Sequence, residues 1–163
     1  MAKAFGVKVA ALRSNPGKPG SDLADKVYSP EQKQEMLADA DFVVSVLPGT
    51  EATANFFGAA DFASMKPSSV FISVGRGTVV DEDALADALA SGSIAGAALD
   101  VFKVEPLPAD SRLWGCDNLL LTAHNADYTD DYFQLGWDVW RSNFDSLASG
   151  GSLVTPVDKA SGY

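Results

Sequence analysis

Four side chains carry most of the chemistry this sequence could perform. Arg76, in Val74-Gly75-Arg76-Gly77, presents a planar fork of donors that suits a carboxylate. Asp100, in Leu99-Asp100-Val101-Phe102, and Glu105, in Glu105-Pro106-Leu107-Pro108, supply negative charge. His124 is the only histidine, and an imidazole beside a carboxylate can hold and release a proton near neutral pH. Together these groups could grip an anionic substrate, stabilise an imidazolium and move a proton. Each alone has an ordinary explanation: a solvated arginine, a turn aspartate, a loop carboxylate, a structural histidine. Their shared placement, just after predicted strands, makes them a candidate site.

Hydrophobic periodicity and its punctuation define the elements that must position these groups. Residues 1–5 read as the last turn of a helix stopped at Gly6, and 7–12 as a strand. The run from Arg13 to Gly20 is rich in proline and glycine and is expected to be a loop. A short strand is expected near Val27-Tyr28. Ser29, Pro30, Glu31 and Gln32 form a helix-start signature, with Gln32 completing a capping box, and that helix runs to about residue 38. Further strands are expected at 42–47, 69–74, 94–99 and 118–122, and helices at 58–64, 82–91 and 129–148. In the last helix Tyr132, Leu135, Gly136, Trp140, Phe144 and Leu147 recur at helical spacing. Strands that are apolar throughout, alternating with helices, predict an α/β fold with a parallel sheet covered on both faces. The right-handed crossover rule predicts that the strands at 42–47, 70–74, 95–99 and 119–122 pair in that order. Ligands bind outside the carboxyl ends of such strands, where Pro48-Gly49-Thr50, Gly75-Arg76-Gly77, Asp100 and His124 fall.

The bulk properties narrow the function classes. The 163 residues suffice for one domain with a real core, and no internal linker divides them. A net charge of −10 repels phosphate backbones, so no nucleic-acid partner is expected. No apolar run approaches a membrane span, and no signal-peptide core stands at the start, so no membrane partner is expected. Cys116 is the only cysteine, which rules out an internal disulfide and fits a reducing, cytoplasmic setting. No metal site is expected.

The stretch Ser73-Val74-Gly75-Arg76-Gly77-Thr78-Val79-Val80-Asp81-Glu82 is followed by Ala84-Leu85 and Gly96-Ala97-Ala98-Leu99-Asp100-Val101-Phe102. Then come Glu105-Pro106-Leu107-Pro108, Leu113-Trp114 and Thr122-Ala123-His124. In this order the motifs resemble the C-terminal part of the D-isomer-specific 2-hydroxyacid dehydrogenases. That family includes glyoxylate/hydroxypyruvate reductases, D-lactate-type dehydrogenases and phosphoglycerate dehydrogenases. The resemblance runs from Ala2 to Tyr163. It implies a Rossmann-like doubly wound parallel sheet, hydride transfer with NAD or NADP, and a small 2-oxo or 2-hydroxy acid as the other substrate.

The resemblance also implies roles. Arg76 would grip the substrate carboxylate and polarise the neighbouring carbonyl. His124 would be the acid in reduction and the base in oxidation, with Glu105 on its other ring nitrogen. Leu47, Pro48 and Thr50 would lie along the nucleotide. Val74, Gly75, Arg76, Asp100, His124 and Ala126 would also bind the cofactor, with Asp100 accepting from the nicotinamide carboxamide. Two departures stand out: Thr122-Ala123-His124 replaces the usual Thr-Pro-His, and Asn125-Ala126-Asp127 places a carboxylate near the site. Arg13 and Ser14, with Lys18 nearby, favour NADP, because an arginine after the second strand accommodates the 2′-phosphate.

Residues 1–163 are thus expected to be a truncated NAD(P)-binding domain. The substrate domain, the first and central strand, and its glycine-rich phosphate-binding turn are expected to be missing. Without that strand the segments 7–12 and 42–47 would each present an open apolar edge. Three readings follow: an enzyme fragment inactive alone, a non-catalytic binding or regulatory module, or a half-enzyme needing a partner chain that supplies the missing half. The partners expected are that N-terminal half or further copies in a homo-oligomer. The intact Arg76, Glu105 and His124 favour the first.

Overall fold

The computed structural model describes residues 2–15 and 20–160. Two short parallel strands, β1 (Ala10–Leu12) and β2 (Lys26–Tyr28), form one small sheet. A second sheet contains β3 (Phe42–Ser45), β4 (Val70–Ser73), β5 (Gly96–Leu99) and β6 (Leu119–Leu121), paired in that order and all parallel. The expected order and direction are therefore observed. The strands are shorter than their apolar runs: β3 ends at Ser45 and β4 at Ser73, ahead of Val46, Leu47 and Val74.

Helices α1 (Lys33–Asp39), α2 (Ala59–Ser64) and α3 (Glu82–Ser91) lie on one face of the four-stranded sheet. Local chemistry sets their ends. The Gln32 side chain accepts from the Ser29 backbone N–H at 3.1 Å ahead of α1. Asp81 caps α3 by accepting from Ala84 N–H at 3.2 Å, and Gly92 stops it at φ 70°. Alternate residues Val43, Phe71, Ala97 and Leu99 point into the core against Leu37, Phe62, Leu85 and Leu89. Phe71 meets Phe57 and Phe62 edge-on at 5.0 and 5.3 Å between ring centres. Burying each such ring stabilises the fold by about 1.5–3 kcal/mol. Asp61 joins α1 to α2: it accepts from Lys33 at 2.8 Å, Gln34 at 2.7 Å and Gly58 N–H at 2.9 Å.

The opposite face departs from expectation. Phe42, Val44 and Leu120 are 68%, 57% and 64% exposed there, so helices cover only one face among the described residues. The sequence shows which surfaces are apolar, and here one such surface has no cover. The outer edge of β3 has no strand partner among the described residues, and β1–β2 forms its own sheet. This is the open edge expected from the sequence. The long helix α4 (Tyr132–Ala148) forms as its periodicity predicts, yet none of its residues is buried. Trp137 and Trp140 stack on it at 4.9 Å, and Trp140 and Phe144 at 5.3 Å. The following segment folds back along α4, with Asn143 accepting from Val154 N–H at 2.9 Å.

Candidate active site

The carboxyl ends of β3, β4, β5 and β6 bring four loops together. Two glycines permit their close approach. A Cβ at Gly75 would lie 2.6 Å from the Leu47 carbonyl oxygen, and one at Gly77 would lie 1.9 Å from the Phe102 carbonyl carbon. Only glycine lets these backbones touch. Arg76, between them, faces a cleft of about 310 Å³. Gly49, Arg76, Gly77, Phe102, Glu105 and His124 line this cleft together. Among the described residues Arg76 makes no ion pair, and its side chain donates only to the Gly75 carbonyl, at 2.8 Å. The guanidinium therefore remains available to an anion.

His124 Nδ1 lies 2.7 Å from Glu105 Oε2, so the expected contact is present. The hydrogen bond and charge of Glu105 raise the His124 pKa above its ordinary 6.5; Arg76 opposes this and Asp100 adds to it. The same hydrogen bond, with the Phe102 N–H, lowers the Glu105 pKa below its ordinary 4.5. Phe102 N–H donates to Glu105 Oε1 at 2.9 Å, so both carboxylate oxygens are held. The geometry fixes Nδ1 on the carboxylate and leaves Nε2 for a reacting group.

Asp100 is 4% exposed and organises the loop that carries His124. Its Oδ1 accepts from Thr122 Oγ1 at 2.5 Å and from Asn125 N–H at 3.0 Å, and its Oδ2 accepts from Ala126 N–H at 2.9 Å. These bonds lower the Asp100 pKa against the effect of burial. They also support His124 in the left-handed region at φ 51°, where its N–H donates to the Asp100 carbonyl at 2.8 Å. Left-handed backbone at a non-glycine residue is a cost that functional sites often carry. The sequence reading missed this loop-shaping task. Thr122 and Asn125, polar residues flanking a turn, were the available signal. Two lone pairs of Oδ1 are occupied, while Oδ2 keeps one for a ligand.

The residues expected along a dinucleotide fall into two groups. Leu47, Pro48, Thr50, Val74, Gly75, Arg76, Asp100, His124 and Ala126 all lie in the loops beyond β3 to β6. Thr50 is fixed there by Thr53, whose hydroxyl accepts from Thr50 N–H at 2.9 Å. Arg13 and Ser14 lie beyond β1, in the other sheet, and Arg13 N–H donates to the Tyr28 carbonyl at 3.0 Å. Lys18 lies outside the described residues. The Arg76 guanidinium, which makes no ion pair among the described residues, and the row of loops on the sheet's carboxyl edge fit an anionic group.

A parallel α/β sheet with its polar cluster on the carboxyl edge is the architecture of nucleotide-binding domains. The chain belongs to the D-isomer specific 2-hydroxyacid dehydrogenases: the model of that family's NAD binding domain matches residues 1–126. A Corynebacterium melassecola protein described as uncharacterized, in the proB 3′ region, is 39% identical over 163 residues, covering 100% of this chain and 53% of its own length. Glyoxylate/hydroxypyruvate reductase B of Citrobacter koseri is 55% identical over 89 residues, covering 55% of this chain and 28% of its own. Among solved structures, an NADPH-dependent glyoxylate/hydroxypyruvate reductase of Sinorhizobium meliloti, in complex with NADP and sulfate, superposes with a TM-score of 0.86 at 31% identity. That match covers 99% of this chain and 51% of the reductase. The chain spans about half the length, or less, of the curated relatives it matches.

Proposed function

We propose that this chain supplies the acid–base and carboxylate-binding part of an NAD(P)-dependent 2-hydroxyacid dehydrogenase acting on glyoxylate- or hydroxypyruvate-like 2-oxo acids. The observation that carries the proposal is the 2.7 Å Glu105–His124 pair lining the same cleft as Arg76. The dinucleotide, when bound, supplies the hydride. Arg76 holds the substrate carboxylate by two parallel hydrogen bonds. His124 Nε2 gives its proton to the substrate carbonyl oxygen in reduction and takes it from the hydroxyl in oxidation. Glu105 keeps the imidazolium favourable and fixes its orientation throughout. Asp100 holds the His124 loop, and its remaining Oδ2 lone pair accepts from the carboxamide.

NADP is the preferred cofactor in this reading, on the strength of Arg13 and Ser14 after β1. The Sinorhizobium reductase, which is NADPH-dependent, supports the same choice. The setting is cytoplasmic; among the described residues no helix is long and apolar enough to cross a membrane. Residues 1–163 act as one dinucleotide-binding unit that further structure completes, either from the same polypeptide or from another chain. The open sheet face, the unpartnered β3 edge and the exposed α4 support that part of the reading. By itself the 163-residue chain should bind dinucleotide weakly and turn over little.

The test joins this chain to the N-terminal half of the Sinorhizobium reductase and follows NADPH consumption with glyoxylate. Arg76→Leu should lower kcat/KM for glyoxylate far more than it lowers NADPH affinity. Equal loss of both would count against the carboxylate-binding role.

A further inference from the structure

Glu105 sits on a loop, and a loop carboxylate needs something rigid behind it to hold an imidazole at a fixed distance. That support comes from the start of α3. Glu82 Oε1 accepts from the Lys103 backbone N–H at 2.6 Å, across 21 positions of sequence. The next peptide N–H back along the chain, that of Phe102, donates to Glu105 Oε1 at 2.9 Å. Gly77 presses on the same place: its Cβ position lies 1.9 Å from the Phe102 carbonyl carbon and 2.5 Å from Lys103 N. The peptide joining Phe102 to Lys103 is therefore gripped from two directions, by contact at Gly77 and by hydrogen bonding at Glu82.

We propose that Glu82 is a positioning residue for the Glu105–His124 pair, holding the 102–105 loop so that the Glu105 carboxylate reaches His124 Nδ1. Residues 76–82 are then one continuous brace. It carries the carboxylate grip, Arg76, at one end and the loop clamp, Glu82, at the other. The brace fixes the spacing between the anion site and the proton donor, which sets reaction geometry. An acidic residue in the first turn of a helix would otherwise be read only as a partner of the helix dipole. The 2.6 Å bond to a distant backbone N–H is not explained by that role.

The inference rests on the acid–base reading of His124. Its test reads the histidine itself in the full chain, without turnover. His124 is the only histidine, so its ring resonances in an NMR titration need no separation from others. Glu82→Asp keeps the charge and the helix-start preference but withdraws the acceptor by one methylene. Glu82→Gln removes the charge but keeps an acceptor of the same length. With Glu82→Asp the His124 midpoint should move to lower pH, part-way to that of Glu105→Gln. With Glu82→Gln it should stay with the unsubstituted chain. An unshifted midpoint in Glu82→Asp overturns the proposal. So does a Glu82→Gln midpoint that falls as far as that of Glu82→Asp, since charge alone would then explain the effect. If Glu105→Gln itself leaves the midpoint in place, the Glu105–His124 pairing behind the proposed function fails, an outcome distinct from failure of Glu82 alone.

Discussion

Gly77→Ala tests how tightly the two site loops are locked together. The added Cβ would stand 1.9 Å from the Phe102 carbonyl carbon, 2.2 Å from its oxygen and 2.5 Å from Lys103 N. Ordinary carbon–carbon contact is about 3.5 Å, so one backbone must retreat by roughly 1.6 Å. The Phe102 side chain packs on the core and Lys103 N–H is held by Glu82, so retreat breaks contacts on either side. Overpacking of this kind costs about 1–3 kcal/mol. For a chain of this size each kcal/mol lowers Tm by about 2–4 °C, which gives a fall of about 2–12 °C. Gly136→Ala is the internal control, because a Cβ there, within α4, meets nothing within 4 Å. That substitution should stabilise by about 0.4–1 kcal/mol through the unfolded state. Thermal melts and urea titrations of both variants decide the matter. A Gly77→Ala chain within about 0.5 kcal/mol of the original would refute the reasoning, since that is the range of a surface substitution.

Three further outcomes follow from the structure. The Glu105 pKa is lowered, so its contribution to stability is present above 4.5 and lost as pH falls through the lower folded value. The His124 pKa is raised, so its contribution is present below 6.5 and lost as pH rises through the higher folded value. The stability lost in Glu105→Gln, measured by urea unfolding, should thus be largest between 4.5 and 6.5 and shrink on both sides. A pH-independent difference would contradict the pairing. Asp61→Ala takes the anionic partner from the partly buried Lys33, which keeps its bond to the Phe56 carbonyl, and should cost about 1–3 kcal/mol in the same assay. A loss below about 1 kcal/mol, typical of a surface pair, would show that Asp61 does not join α1 to α2. Arg13→Asp, in the completed fusion, should shift the NADPH-to-NADH affinity ratio toward NADH by roughly tenfold to a hundredfold, the worth of a charged hydrogen bond. An unchanged ratio would remove Arg13 from the cofactor site.

Much of this fold could be read from the sequence because its punctuation is strong. Asp81 and Gly92 bracket α3 at both ends as expected, and the parallel order of β3 to β6 follows from the alternation of strands and helices with the crossover rule. The strands at 42–47 and 69–74 are over-long in the reading, because apolar residues past a ladder's end look the same as those within it. Coverage of both sheet faces was expected from strands apolar throughout. Yet Phe42, Val44 and Leu120 show that apolar composition records a demand for burial, without naming what meets it. Arg76, Glu105 and His124 were legible as types at strand ends. The supporting contacts of Asp100 and Glu82 were not, because both run between residues more than 20 positions apart. The left-handed backbone at His124 also left no mark in the sequence.

The most direct test of the central claim is one comparison in the fusion of this chain to the N-terminal half of the Sinorhizobium reductase. NADPH-dependent reduction of glyoxylate is measured with His124 in place and with His124→Ala. The 2.7 Å pair with Glu105 predicts measurable turnover in the first and a fall of about 10²–10⁴-fold in the second, with NADPH binding retained. Equal turnover in the two fusions would contradict the assignment of His124 as the proton donor.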